Sequence, residues 1–276
     1  MHKAANQVDR ERFHSGSQKY AAYLQTPEGR LRSDLTFANL QDFLPSRRSE
    51  ESLTLLDLGG GTGAMAIRLA QLGAHLTLLD SSEEMLDIAK RAAMEAGVAE
   101  SLGLKHGDAE QLTNLFPAGS FDGILCHNVL EYIDDPGAVL CAAAGVLRNP
   151  PAIVSILVRN QAGEAVKAAI QSRNLDAAED SLTAEWGRES LFGGKVRLFN
   201  SEDVRSMLRT ASLEIIAERG VRVIADYLPP SISREAEYDR ILEFERKLGR
   251  RPEFAAIARH IHYLARRADP KTENRA

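Results

Sequence analysis

Asp57, the glycines Gly59, Gly60, Gly61 and Gly63, and Asp80 are the residues whose types and spacing could do chemistry in this chain. Leu55-Leu56-Asp57-Leu58 is an apolar run that empties into Gly59-Gly60-Gly61-Thr62-Gly63, and a helical pattern starts at Ala64. A strand, a glycine loop and a helix in that order leave bare backbone for a nucleotide to lie against, because a Cβ there would obstruct both the turn and the ligand. A second apolar run, Ala74-His75-Leu76-Thr77-Leu78-Leu79, closes on Asp80. That carboxylate stands about 20 residues past the loop, the separation at which the end of a neighbouring strand offers an acid to a ribose diol. The chemistry so defined is the gripping of a nucleoside by its sugar.

Two cofactors share this arrangement. Gly61-Thr62-Gly63-Ala64-Met65-Ala66 satisfies the dinucleotide pattern, which keeps a nicotinamide or flavin enzyme as the rival. Three features favour S-adenosylmethionine. Asp57 precedes the glycines, where an acid meets the cationic amino end of a methionine moiety and would repel a pyrophosphate. Gly107-Asp108-Ala109-Glu110 ends a third strand with polar groups suited to an adenine edge. The fourth strand, Gly123-Ile124-Leu125-Cys126-His127-Asn128, ends in polar residues where the reacting methyl would sit.

Methyl transfer from a sulfonium is an in-line displacement, so the protein has mainly to hold two groups close and aligned. A hydroxyl acceptor would need a base, and His127 is the candidate; its other reading is a wall of the adenosyl pocket. A carboxylate acceptor is already ionised and needs only an arginine to orient it. Asp57 could also pin the glycine loop by accepting backbone N–H groups. Glu131-Tyr132 and Asp134-Asp135 read as the capped start of a helix. His260 and His262 share one face of a strand but lack a third ligand at metal spacing, and Cys126 and Cys141 form neither a metal pattern nor a disulfide framework, so no metal is expected.

The elements that must position these residues alternate. A helix over Leu31–Leu44 ends at Pro45; strands follow at Leu53–Leu58, up to Asp80, up to Gly107, up to His127, and at Ala152–Val158. Helices Ala64–Leu72, Ser82–Ala96 and Pro136–Leu147 lie between them, each bounded by a cap or a breaking glycine. This rhythm demands an α/β fold, a doubly wound, mostly parallel, Rossmann-like sheet with an N-terminal helical cap and an insert after strand five. Ala162–Trp186 reads as polar helix, Gly193-Gly194 breaks it, and Asn200 caps a helix to Thr210. Leu213–Ile224 and Ile257–Ala265 read as two more strands around a helix Ser233–Leu248. The expected organisation is a cap over 1–50, the cofactor core over 51–160, a substrate cap over 161–211, completing strands and helix over 212–267, and a disordered tail over 268–276.

With 276 residues, 44% of them hydrophobic, the chain can bury a full core. Its net charge of −5 is unevenly spread: residues 1–50 hold 8 basic against 6 acidic, 51–187 hold 8 against 19, and 188–276 hold 18 against 14. An acidic middle suits a cationic ligand and basic flanks suit an anionic acceptor. No apolar run approaches the roughly 20 residues that span a bilayer, and the first residues lack a secretion signal, so the expected location is cytoplasmic, without a membrane partner.

Thr26, Gly29, Leu31 and Arg32, the glycine loop with Asp57, Asp80-Ser81, and His127 with Val129-Leu130-Glu131 form a longer pattern. It continues through Gly220-Val221-Arg222-Val223, Asp226-Tyr227-Leu228, Tyr238, Leu242, Glu243, Glu245, Arg259 and Ile261-His262. The series resembles class I S-adenosylmethionine-dependent methyltransferases, and over most of its length it is similar to the bacterial tRNA wobble-uridine methyltransferases, which esterify the carboxyl of 5-carboxymethoxyuridine. The resemblance implies that Arg32 reaches the methionine carboxylate beside Gly59, Gly60 and Gly61. It implies further that Asp80 with Ser81 holds the ribose, Asp108, Ala109 and Glu110 hold the adenine, and His127 walls the pocket. Arg222, Tyr227, Arg259 and His262 become the expected substrate-side residues, tRNA the expected partner, and S-adenosylhomocysteine the product. A small-molecule O- or N-methyltransferase is the alternative. The insert departs from the family's lysine-rich stretch: Gly187–Arg197 carries little positive charge.

Overall fold

The structure, a computed structural model, describes residues 16–45, 52–189, 191 and 193–268. Most of the expected tail, and the expected cap outside 16–45, therefore fall outside the described residues. Residues 16–24 form α1. Thr26 then caps α2 (Pro27–Gln41), its hydroxyl accepting the Gly29 N–H at 3.1 Å, with Pro27 in the first turn where no helical donor is lost. The helix thus starts four residues before the expected Leu31, because the cap and the proline set its beginning and the apolar spacing does not.

The next elements are β1 (Thr54–Leu58), α3 (Ala64–Gln71), β2 (His75–Asp80), α4 (Glu83–Glu95), β3 (Leu102–His106), the one-turn α5 (Leu112–Leu115), β4 (Gly123–His127), α6 (Pro136–Val146) and β5 (Ile153–Arg159). Ser82 caps α4 through the Met85 N–H at 3.3 Å, and Asp135 caps α6 through the Ala138 N–H at 2.9 Å. After β5 come α7 (Gln161–Ile170), α8 (Leu175–Ser181), β6 (Trp186–Arg188), β7 (Lys195–Arg197), α9 (Ser201–Thr210), β8 (Leu213–Val221), α10 (Tyr238–Gly249), α11 (Pro252–Ala255) and β9 (His260–Arg267).

Two expectations need correcting here. The single polar helix of Ala162–Trp186 is two helices and a strand: Arg173 takes a left-handed φ of 51°, Asn174 caps α8 on the Ala177 N–H, and Trp186 pairs with Arg197. The helix expected from Ser233 starts at Tyr238, the preceding residues forming turns.

Seven strands form one sheet in the order β3-β2-β1-β4-β5-β9-β8, with β9 antiparallel to both neighbours and the other strands running one way. Its inner strands are apolar on both faces, as a sheet covered on both sides requires. On one face Leu56, Ile124 and Ile156 pack with Val139 and Leu140 of α6 and Leu208 of α9. On the other, Leu55, Leu78 and Leu125 pack with Leu69 of α3, Ala89 of α4 and Leu40 of α2. The chain moves outward from β1 through β2 to β3 and then returns to β4 on the other side, so a crevice opens at the carboxyl ends of β1 and β4.

Candidate active site

A cavity of about 370 Å³ lies over those strand ends, and a side lobe of about 60 Å³ shares Tyr20, Arg32, Gly59, His127 and Asn128 with it. The loop between β1 and α3 is built for close approach. Gly59 has φ +63° and a Cβ on it would come 2.5 Å from Val129 Cγ2; a Cβ on Gly60 would meet the Asp57 carboxyl at 2.7 Å. Only glycine lets the loop pass between Val129 and Asp57 while leaving its backbone towards the cavity.

Two carboxylates meet this loop. Asp80, at the end of β2, accepts the Gly61 N–H at 2.8 Å through Oδ2 and the Ser82 N–H at 2.9 Å through Oδ1. Each oxygen keeps a lone pair, and the residue lines the cavity beside Ser81. Asp57 is buried in the side lobe with Oδ2 lacking any partner, and burial, together with the charge on Asp80, pushes its carboxyl up to about 7. A buried carboxylate oxygen without a donor is costly unless a cation meets it. Arg32 of α2 faces the same lobe, stacked 5.0 Å from the Tyr23 ring centre and donating to the Tyr20 hydroxyl at 3.1 Å. No carboxylate lies within ion-pair distance of it among the described residues. One lobe thus offers a carboxylate oxygen without a donor and, among the described residues, a guanidinium without a carboxylate, the complement of an amino acid's ammonium and carboxylate. Asp108, Ala109 and Glu110 line the main cavity after β3, with Asp108 accepting the Glu110 N–H at 3.0 Å.

His127, at the end of β4, is held from below. Its Nε2 lies 2.8 Å from Ser155 Oγ, which lies 2.7 Å from Nε2 of His262, and the two rings meet edge-on at 5.4 Å between centres. One hydroxyl has one proton to give, so at least one of these histidines must donate from Nε2. Burial and the Arg32 charge push His127 down to about 3. Asn128, at φ 56°, donates to Glu131, whose Oε1 also accepts the Arg159 N–H at 2.8 Å. Glu131 is therefore a buried wall of the cavity beyond the expected helix start, which is capped instead by Asp135.

The other half of the cavity is arginine-rich. Arg222 donates to both carboxyl oxygens of Asp226 at 2.5 and 2.6 Å and to the Tyr23 hydroxyl at 3.0 Å. Its left-handed φ of 61° is fixed by Glu245 of α10, a fully buried carboxylate that accepts the Val223, Ile224 and Ala225 N–H groups at 2.7–2.9 Å. Arg259 reaches Glu164 at 3.1 Å and Asp226 at 3.4 Å. Arg159, at the end of β5, pairs with Glu189 at 2.8 Å, and Tyr132 donates to the same carboxylate at 3.3 Å. Lys167, Arg188 and Arg234 complete this lining.

The structure gathers Arg32, Gly59, Gly61, Asp80, Ser81, Asp108, Ala109, Glu110 and His127 around the main cavity, with Asp57 and Gly60 in the side lobe and Arg222 and Arg259 on the far wall. Tyr227 and His262 do not line it. The Tyr227 hydroxyl is buried without a partner, pushed up to about 12 by burial, and His262 lies fully buried beneath Ser155. His260, two residues back on β9, takes the cavity position. Sequence reasoning passed over Tyr20 and Tyr23, although their i, i+3 spacing puts both rings on one helix face, and over Ser155, Arg159 and Glu189, for which the sequence offers no signal.

This arrangement, a reversed penultimate strand in a parallel sheet with a glycine loop and strand-end acids, is that of the class I S-adenosylmethionine-dependent methyltransferases. Residues 56–153 match the methyltransferase domain family. The chain belongs to the family of the tRNA 5-carboxymethoxyuridine methyltransferase of Escherichia coli strain K12, to which it is 30% identical over 246 residues, 89% of this chain and 92% of that protein. The ubiquinone biosynthesis O-methyltransferase of Caulobacter vibrioides is 36% identical over 116 residues, 42% of this chain and 44% of that one. The magnesium protoporphyrin IX methyltransferase of Synechocystis PCC 6803, solved with bound S-adenosylhomocysteine, shares the fold at TM-score 0.65 and 15% identity over 95% of this chain and 100% of that one. The protein is an S-adenosylmethionine-dependent methyltransferase.

Proposed function

We propose that the chain methylates the carboxylate of 5-carboxymethoxyuridine at the wobble position of tRNA, acting in the cytoplasm, with segment 161–211 shaping the acceptor side. S-adenosylmethionine, when bound, supplies a methyl group on a cationic sulfur. Arg32 and Asp57 would hold its amino-acid end, Asp80 with Ser81 its ribose, Asp108, Ala109 and Glu110 its adenine, and Gly59 to Gly61 would lie along it with His127 as the inner wall.

One observation carries the choice of acceptor. Arg159, Lys167, Arg188, Arg222, Arg234 and Arg259 outnumber the acids on the far wall, Glu28, Glu131, Glu189 and Asp226, and nothing there is set up as a strong base. Burial and the Arg32 charge hold His127 neutral and weakly basic, so it is poorly suited to take the proton of a phenol-like hydroxyl near pKa 10. A carboxylate arrives ionised, needs no base, and matches the guanidinium fork. Arg222 is preset by Glu245 and Asp226, so little rotamer freedom is lost when an acceptor docks beside it. Four of these six cations, Arg188, Arg222, Arg234 and Arg259, come from the basic segment 188–276, and Arg159 and Lys167 come from the acidic middle.

The deciding experiment incubates the protein with S-adenosylmethionine and tRNA bearing 5-carboxymethoxyuridine. Nucleoside mass spectrometry should show the methyl ester. Turnover of a small phenol or amine with none on that tRNA would establish the small-molecule alternative.

A further inference from the structure

The β6–β7 hairpin carries a face that the cofactor chemistry does not use. Its register sets Trp186 opposite Arg197, Gly187 opposite Val196, and Arg188 opposite Lys195. Opposed residues share a face and successive ones alternate, so Trp186, Arg188, Lys195 and Arg197 project together while Gly187 and Val196 turn the other way. Burial agrees: Val196 is fully buried, whereas Trp186 is 45% exposed and Arg188 and Lys195 are exposed. The Arg197 guanidinium lies 4.8 Å from the Trp186 ring centre and its Nη2 donates to the Asp134 carbonyl at 3.5 Å, which steadies the indole. A hairpin this short holds no geometry alone in water. It is fastened to the cavity rim by Glu189, through Arg159 and Tyr132.

We infer that this face is a platform for unpaired RNA, receiving the nucleotides next to the methylated base: Trp186 as the stacking surface, and Arg188, Lys195 and Arg197 as phosphate contacts. The inference rests on the tRNA reading above. A small acceptor needs only the cavity, but a wobble nucleotide arrives within a single-stranded loop whose neighbours must lie somewhere at the mouth. Single strands are held by aromatic faces interleaved with cations, since every base has a π-face and every linkage a phosphate. Along the sequence Gly187–Arg197 holds three cations and one carboxylate; strand pairing folds the three cations and the indole onto one side, with Glu189 turned inward to Arg159.

Trp186 is the chain's one tryptophan, so its fluorescence reports this face directly. Titrating the intact protein with tRNA should quench that emission, and titrating with S-adenosylhomocysteine should not. Trp186→Ala should raise KM for modified tRNA about five- to a hundredfold, with Trp186→Phe restoring most of it, while turnover of the free 5-carboxymethoxyuridine nucleoside and S-adenosylhomocysteine affinity stay unchanged. The double variant Lys195→Gln/Arg197→Gln should reduce the slope of log affinity for tRNA against log salt by about 1.4. Unquenched emission at saturating tRNA, or wild-type KM and salt slope in both variants, overturns the platform even where the wild type esterifies tRNA. A wild type that turns over the free nucleoside but neither binds nor esterifies tRNA overturns the tRNA reading and the platform together.

Discussion

The two halves of the cavity are built by opposite means. The half proposed for the cofactor takes most of its lining from one contiguous stretch, Asp57 to Glu110, in which successive strand ends deliver successive contacts and the charged groups are carboxylates; Arg32 and His127 join it from outside that stretch. The half proposed for the acceptor is assembled from Tyr23, Arg159, Arg188 and Glu189, Arg222 to Arg234, and Arg259, and its charge is carried mainly by guanidinium groups. A sulfonium nucleoside and an anionic acceptor ask for such opposed surroundings. The difference teaches that binding a common cofactor can be encoded locally, whereas choosing an acceptor depends on distant segments meeting.

The sharpest break of this division is Asp80→Ala. Its carboxylate holds the loop through Gly61 and Ser82, and two hydrogen bonds to a charged group are worth roughly 1.5–3 kcal/mol each. Calorimetry with S-adenosylhomocysteine should show affinity reduced by about three orders of magnitude. An unchanged dissociation constant would falsify the assignment of this half to the cofactor.

Arg222→Gln tests the other wall. The change removes a guanidinium from the acceptor wall and leaves the buried Asp226 only its longer contact with Arg259 at 3.4 Å; losing a charge pair with the acceptor is worth about 2–5 kcal/mol, so kcat/KM on modified tRNA should drop at least about a hundredfold. S-adenosylhomocysteine affinity should move less than about twofold. Equal losses in both would mean that the halves are not separable.

Asp57 supplies a graded test. With its carboxyl near 7, the charged form that meets an ammonium is lost as pH falls, so cofactor affinity should weaken about tenfold from pH 8 to 6. Asp57→Asn should abolish that dependence. The stability effect has the opposite sign. Because the folded pKa lies above the unfolded value near 3.9, the folded protein holds the extra proton between about pH 4 and 7, and stability is lost as pH rises through that window. The ligand-free Asn variant should therefore melt higher than the wild type at pH 8; a lower melting temperature would show that Asp57 is satisfied within the loop.

The smallest effect is expected beneath both halves. Ser155→Ala removes the hydroxyl shared by His127 and His262, leaving buried nitrogens unpaired at about 1–3 kcal/mol. At roughly 2 °C per kcal/mol for a chain of this size, the melting temperature should fall by a few degrees, with little change in S-adenosylhomocysteine binding.

Much of the fold could be read directly. The strands ending at Asp80 and His127, and the caps at Ser82, Asp135 and Asn200, fall where their residues placed them, because period and capping act within a few residues. Segment 161–211 was harder: a polar stretch without strong alternation gives no warning that Trp186 will pair with Arg197 across a loop. Asp57, Asp80 and the glycines Gly59, Gly60 and Gly61, singled out by spacing, line the cavity or its side lobe. Ser155 and Glu189 could not be singled out, since a serine in a buried strand and a glutamate in a turn look ordinary until the fold sets two histidines, or an arginine and a tyrosine, against them.

By itself the sequence determined the order of elements through β5, the glycine loop and its two acids, and so the class of cofactor, because those follow from backbone sterics and short-range periodicity. Only the tertiary structure decided that Arg222 is locked by Glu245 and Asp226, that His260 and not His262 faces the cavity, and that cations from 159 to 259 gather on one wall. Such contacts join residues up to about two hundred positions apart, and their energies arise only once burial removes water and leaves each charge to find its partner within the fold.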